Sequence, residues 1–166
     1  NDGAFPRVRP RRLRRNATVR AMVREHGVTP GDLILPLFAI TGTGTEQPID
    51  SLPGASRQTA ALLAAPATAA FALGIPAVLL FGVPDHKDAQ ASGADAADGV
   101  VQTAIAAIKD AVPEMVVVTD VCLCAYTDHG HCGIMQAGRL HNDASIEAIA
   151  RTAASHAAAG ADIVAP

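Results

Sequence analysis

Four short apolar runs recur along the chain, beginning near residues 33, 77, 115 and 161, about 40 residues apart. Leu33 to Ile40, Ala77 to Val83, Met115 to Val121 and Ala161 to Pro166 read as strands. The near-continuous apolar run of the first is the pattern of a strand buried on both faces, with Pro36 predicting a local break or bulge. Between the runs lie segments of helical propensity. Arg57 to Leu73 is alanine-rich, closed by Gly74 and predicted to kink or split at Pro66. Gly99 to Val112 puts Val100, Val101, Ala104, Ile105 and Ile108 on one helical face, with Lys109 and Asp110 on the solvated one. A last helix, capped by Ser145, runs to about Ala159 before Gly160.

Strand and helix in alternation mean a parallel sheet with right-handed crossovers. A doubly wound sheet and a (β/α)8 barrel, the TIM barrel, share this order. The barrel is favoured because the loops after strands are long and polar, the loops before strands are short, and no glycine-rich phosphate fingerprint follows the first strand. A barrel needs about eight units and ~250 residues. The reading is therefore half of one: residues 1–31 as an N-terminal arm with a short helix, and 32–166 as the first half of a TIM barrel.

The arm carries its own signal. Residues 1–24 hold eight arginines and one acid, whereas the remainder holds five basic and fifteen acidic residues, so a net charge of −3 conceals two parts of opposite sign. Pro6 and Pro10 make the start irregular, and Asn16 is placed to cap a helix through about His26, with Gly27 as its stop. Basic arms often bind nucleic acid, but only Phe5 is nearby to stack a base. The arm is read instead as packing on the acidic body or on a neighbouring subunit.

Directly after the third apolar run the chain gathers all three of its cysteines and two of its six histidines: Asp120-Val121-Cys122-Leu123-Cys124-Ala125-Tyr126-Thr127-Asp128-His129-Gly130-His131-Cys132-Gly133. Strand alternation would direct Asp120, Cys122 and Cys124 to one side, and Cys132 returns from a glycine-punctuated loop. Three thiolates suit zinc, and a set of three leaves a fourth position open, as in catalytic rather than structural zinc sites. A Cys122–Cys124 disulfide is the competing reading of the same spacing. His131 is a candidate auxiliary ligand, while His129 is as readily a partner of loop backbone. An odd cysteine count in a tight group suits a reducing compartment. With no apolar run near the ~18 to 20 residues of a membrane span and no signal-peptide pattern, the expected location is cytoplasmic, away from membrane and nucleic acid.

The segment 120–133 resembles the zinc signature of the porphobilinogen synthase (5-aminolevulinate dehydratase) family. Arg9 to Arg15, Leu33 to Phe38, Gly74 to Val78, Leu80 to Pro84 with His86 and Lys87, and Ala161 to Pro166 are similar to the family in order and spacing. The resemblance implies a zinc-dependent lyase of haem (tetrapyrrole) biosynthesis that condenses two molecules of 5-aminolevulinate to porphobilinogen. It also implies a TIM barrel whose N-terminal arm embraces a neighbour in a homo-oligomer, an octamer in the family. By the same resemblance Cys122, Cys124 and Cys132 hold zinc and Asp120 faces the substrates. The family's two Schiff-base lysines lie in the barrel's second half; Lys87 and Lys109, the two lysines here, match neither. The chain is thus expected to carry the zinc half of the machinery and to be inactive by itself. The alternative is a non-catalytic, zinc-binding half-barrel with a structural or regulatory role.

Overall fold

The computed structural model describes residues 6–166, so the first five residues of the arm lie outside it. A 3-10 turn at Pro10–Arg14 leads into helix α1 (Ala17–Met22), where the Asn16 side chain accepts the Val19 N–H as foreseen. The helix stops four residues short of His26. Val19 apart, every described residue up to Ile34 is exposed. The basic arm therefore stands off the acidic body, contrary to the expectation that it could pack there. A second 3-10 turn, Pro30–Asp32, is closed by the Asp32 carboxylate, which accepts from the Thr29 N–H and hydroxyl.

Strand β1 (Ile34–Ile40) opens a six-stranded sheet. A hairpin follows, β2 (Glu46–Pro48) and β3 (Ser56–Thr59), and then helix α2 (Ala60–Ala72). Next come β4 (Ala77–Val83), α3 (Val100–Ala111) and β5 (Val116–Asp120). A two-stranded ribbon, β6 (Met135–Gln136) and β7 (Arg139–Leu140), precedes α4 (Asn142–Ala158) and β8 (Ile163–Ala165). The sheet order is β2-β3-β1-β4-β5-β8, with β1, β4, β5 and β8 all parallel.

The expected strands are all present, but several details differ. Arg57 to Thr59 belong to β3 rather than to a helix, because they pair with Phe38 to Ile40 along the outer edge of β1. Pro66 neither splits α2 nor ends it. Pro36 sits in unbroken register opposite Leu79, and the other edge of β1 is paired with β3 only from Phe38 onward. That open edge accommodates a residue with no N–H to give. Helix α4 begins three residues before Ser145: the His141 imidazole caps it by accepting the Ala144 N–H, while Ser145 accepts from the Ile134 N–H instead.

All three sheet-covering helices pack on one face, and a single core joins them. Leu63, Ala67 and Ala70 of α2, Val101, Ala104, Ile105 and Ile108 of α3, and Ala148 of α4 meet Leu37, Ala39, Val78, Leu80 and Val117 of the sheet. One layer of helices is the arrangement of a barrel, not of a doubly wound sheet. The opposite face, which carries Ile34, Phe38, Phe81 and Asp120, is partly open, so β1 is buried on one face rather than both. Each fully buried Leu or Ile on the helix side contributes about 1.5–3 kcal/mol.

Behind the sheet, Lys109 is not a free surface charge. It pairs with Asp162 at 2.6 Å and donates to the Met115 carbonyl at 2.8 Å. Asp162 also accepts the Val117 N–H at 2.7 Å. Burial tends to raise its carboxyl, but the Lys109 bond and the Val117 N–H outweigh that and hold it below the usual range. This ties the start of β8 to the start of β5, at the end of the sheet remote from the cysteines.

Candidate metal centre

Strand pairing ends where Asp120 meets Ala165, and the Val121 N–H makes the last bond to the Ala165 carbonyl. The chain then turns tightly, the N–H groups of Tyr126 and Thr127 both reaching the Leu123 carbonyl. Burial still alternates through this turn. Val121 and Leu123 are sunk into the core, while Asp120, Cys122 and Cys124 stay half-buried on the other side. Apolar anchors at every second position thus hold the thiols up, extending strand parity beyond the strand.

Cys132 is returned by a braced loop. Asp88 and Thr127 form a bridge, with the Asp88 N–H donating to the Tyr126 carbonyl and the Asp128 N–H to the Asp88 carbonyl. The Asp88 carboxylate is itself held by Ser92 and the Gln90 N–H, which lowers its pKa, Ser92 contributing most. Gly130 takes a positive φ of 73° to reverse the chain. Gly133 is needed for a different reason: a Cβ there would lie 2.6 Å from the Ser145 hydroxyl oxygen, the group that caps Ile134.

Together these features bring the three thiol sulfurs within 4.8 Å of one another. Cys122 and Cys124 are 3.3 Å apart, as free thiols rather than a disulfide. A tetrahedral ion with metal–sulfur bonds of ~2.3 Å separates its ligands by about 3.8 Å, so the cluster fits a zinc-sized ion with small adjustments. Two of the thiols, Cys124 and Cys132, hold their protons more tightly than a free cysteine. The hydrogen bond with Cys122, followed by burial and the nearby sulfurs, pushes Cys124 up to about 12. Cys132 is raised by its hydrogen bond with Cys122 and by that neighbour's charge. Metal uptake would therefore release protons.

His131 is exposed and outside this group of potential ligands. Its carbonyl accepts from the Thr127 hydroxyl, and its N–H donates to Nδ1 of His129 at 3.2 Å. His129 thus serves loop backbone, the simpler of the two roles open to it.

Beside the thiols a cleft of about 470 Å³ opens at the carboxyl ends of the strands, lined by Phe38, Ile49, Ser51, Leu52, Arg57, Phe81, Gly82, Val83, Asp120, Cys124 and Ala125. Burial raises the Asp120 carboxyl, partly offset by the Cys122 N–H. Phe38 and Phe81 stack with centroids 5.3 Å apart. Lys87 is exposed and does not line the cleft. Ser51 and Arg57 are cleft residues that the sequence reading overlooked, the first in a presumed loop and the second in a presumed helix. The turn signal Ser51-Leu52-Pro53-Gly54 between short polar strands was the available clue.

A family model described as delta-aminolevulinic acid dehydratase matches residues 7–166. The chain belongs to the delta-aminolevulinic acid dehydratase family. Proteins of that name from Synechococcus elongatus and Bacillus subtilis are 47% and 45% identical to it over 98% and 95% of the chain, which covers 51% and 49% of their lengths. A third, from Ruminiclostridium josui, is 43% identical and is covered over 77% of its length. The crystal structure of the Toxoplasma gondii dehydratase (porphobilinogen synthase), in complex with the reaction product porphobilinogen, superimposes with a TM-score of 0.90 at 37% identity, over 95% of this chain and 46% of that one. The chain spans about half the length of most of the dehydratases it matches. The half-barrel reading and the family resemblance both hold. Among the described residues, no helix is long and apolar enough to cross a membrane.

Proposed function

We propose that this chain is the zinc-bearing half of a porphobilinogen synthase that condenses two molecules of 5-aminolevulinate to porphobilinogen. The observation that carries this is the convergence of three thiols within 4.8 Å beside a half-buried carboxyl at the mouth of one cleft. Cys122, Cys124 and Cys132 would hold the zinc. When bound, the ion supplies Lewis acidity toward a substrate oxygen and lowers the pKa of a coordinated water. Asp120, its carboxyl pKa raised by burial, would exchange a proton with substrate at the cleft floor. The lysines that would form Schiff bases belong, on this reading, to the second half of the barrel, and Lys87 and Lys109 take no part.

The chain divides on this reading into an arm, residues 1–31, and the first half of a TIM barrel, 32–166. The exposed arm, with Leu13 and Met22 half or more open to solvent, supports a role in clasping a neighbouring subunit of a homo-oligomer. The protein is read as cytoplasmic. The test is to express the full reading frame and assay it with 5-aminolevulinate, alongside metal analysis. Porphobilinogen formation with about one zinc bound per Cys122-Cys124-Cys132 site is expected. A full-length protein that binds zinc yet makes no porphobilinogen would leave the structural role as the better reading.

A further inference from the structure

Thr119 and Asp120 are neighbours on β5 that face opposite ways. Asp120 lines the cleft, whereas Thr119 points among the helices and is wholly buried. There it meets His156 of α4, also wholly buried, with imidazole Nδ1 3.1 Å from the threonine hydroxyl oxygen. Whichever tautomer the ring adopts, one hydrogen joins the two atoms. Neither residue lines the cleft or belongs to the thiol group.

The pair sits where β5 is least supported. Leu80 with Thr119 is the last pairing between β4 and β5, and Asp120 is held only from the other side, through Ala165 of β8. Strand β8 is three residues long and lies at the end of the sheet. Past that point the chain turns into the loop that carries Cys122 and Cys124. A bond from behind at Thr119 therefore fixes the last residue of β5 that has partners on both sides, Leu80 and Val164. His156 is anchored in turn, because its carbonyl accepts the Ala161 N–H at 3.1 Å where α4 gives way to the approach to β8.

Stability alone does not call for this chemistry. Exchanging both partners of a buried hydrogen bond for apolar groups of the same shape is close to neutral. The pair also carries a cost, since His156 Nε2 is buried without a hydrogen-bond partner. Polar groups beside it on α4 are engaged elsewhere: Thr152 donates to the Ala148 carbonyl, and Ser155 accepts from Gln102 of α3. What a hydrogen bond adds over apolar contact is direction, which suits the holding of a strand end in one place.

We infer that His156 is a positioning residue: through Thr119 it fixes the end of β5, and so sets how Asp120, Cys122 and Cys124 are presented at the cleft. The inference rests on the proposed zinc-site reading of the thiols and is independent of the reaction carried out there.

The test uses the full-length protein and does not depend on turnover. Cobalt(II) is loaded in place of zinc, because its visible bands report the geometry of its thiolate ligands, and zinc affinity is measured by competition with a chelating dye. Thr119→Val keeps the shape and removes the hydroxyl. It is expected to weaken zinc binding about 10-fold, the low end for a group that supports a ligand, and to shift the cobalt bands. His156→Gln, whose amide does not occupy the Nδ1 position, should do the same, and the double variant should be no worse than either single one. Thr119→Ser and His156→Asn, which keep a hydrogen-bonding atom at those positions, should retain the wild-type affinity and bands. A pair that only holds the core together predicts lower urea midpoints with unchanged affinity and bands, or additive losses in the double variant; either result overturns the inference. Should Thr119→Val not fold, His156→Gln with wild-type bands overturns it equally. A wild type that takes up neither metal removes the zinc-site reading and the inference together. One that shows the expected metal responses but makes no porphobilinogen upholds the inference and defeats only the dehydratase reading.

Discussion

The two faces of the sheet are made from the same strands and do different work. On the helix-covered face, Leu37, Ala39, Val78, Leu80, Val117 and Thr119 are almost wholly buried and belong to the packing with α2, α3 and α4. One residue further along each strand, Phe38, Phe81 and Asp120 are half-open and line the cleft. Strand alternation thus separates the residues that hold the fold from those that line the cleft, and substitutions one position apart should have different consequences. Ile34 and Ile163, at 55% and 51% exposed, show how much apolar surface the open face leaves in a chain of half the dehydratase length.

The sharpest way to break the contrast is to empty the covered face. Leu80→Ala, at a fully buried position, should lower stability by about 2–5 kcal/mol in a urea titration while leaving the thiol cluster able to load metal. Gly82→Ala fails by crowding instead. The new Cβ would lie 2.3 Å from the Tyr126 hydroxyl and 2.7 Å from Val101 Cγ2, so a loss of about 1–3 kcal/mol is expected from the same titration. On the open side, Cys124→Ala should reduce zinc affinity by at least ~100-fold in a competition with a chelating dye, exceeding the effect of losing a group that merely supports a ligand. Its urea midpoint without metal should barely move, because Cys124 is not part of the buried core.

A smaller effect comes from His156, fully buried on α4 with Nδ1 3.1 Å from the Thr119 hydroxyl. Burial lowers its pKa below the ordinary 6.5. Below that pH the unfolded chain binds a proton that the folded chain refuses, so stability is full above about pH 6.5 and falls as pH drops toward the depressed folded value. His156→Gln should flatten this acid limb in urea midpoints taken from pH 7.5 to 5. The smallest effect is expected at the exposed end. Asp162→Asn weakens a partly screened pair with Lys109 and should cost no more than about 1 kcal/mol at pH 7.

What could be foreseen follows the same division. The buried strands and the helix face of α3 were legible because apolar periodicity is the direct imprint of burial. The convergence of the three thiols was legible because cysteines grouped within eleven residues have few other uses, and the family signature reinforced it. The β2–β3 hairpin was not, since Ser56-Arg57-Gln58-Thr59 has no apolar alternation and takes its strand form from the edge of β1. Reading Arg57 into a helix concealed the one cation of the cleft. Lys109 was misjudged for a related reason: helical periodicity gave its face correctly but said nothing of Asp162, which arrives from the next strand.

Four of the parallel strands, β1, β4, β5 and β8, stand side by side in the order in which they occur along the chain. As the polypeptide emerges from a ribosome, each new strand therefore finds its partner already made and waiting at the growing edge. Nothing synthesised later has to be inserted between strands already paired. The cysteine loop is delivered between β5 and β8, so its three thiols are already on the chain when β8 docks on β5.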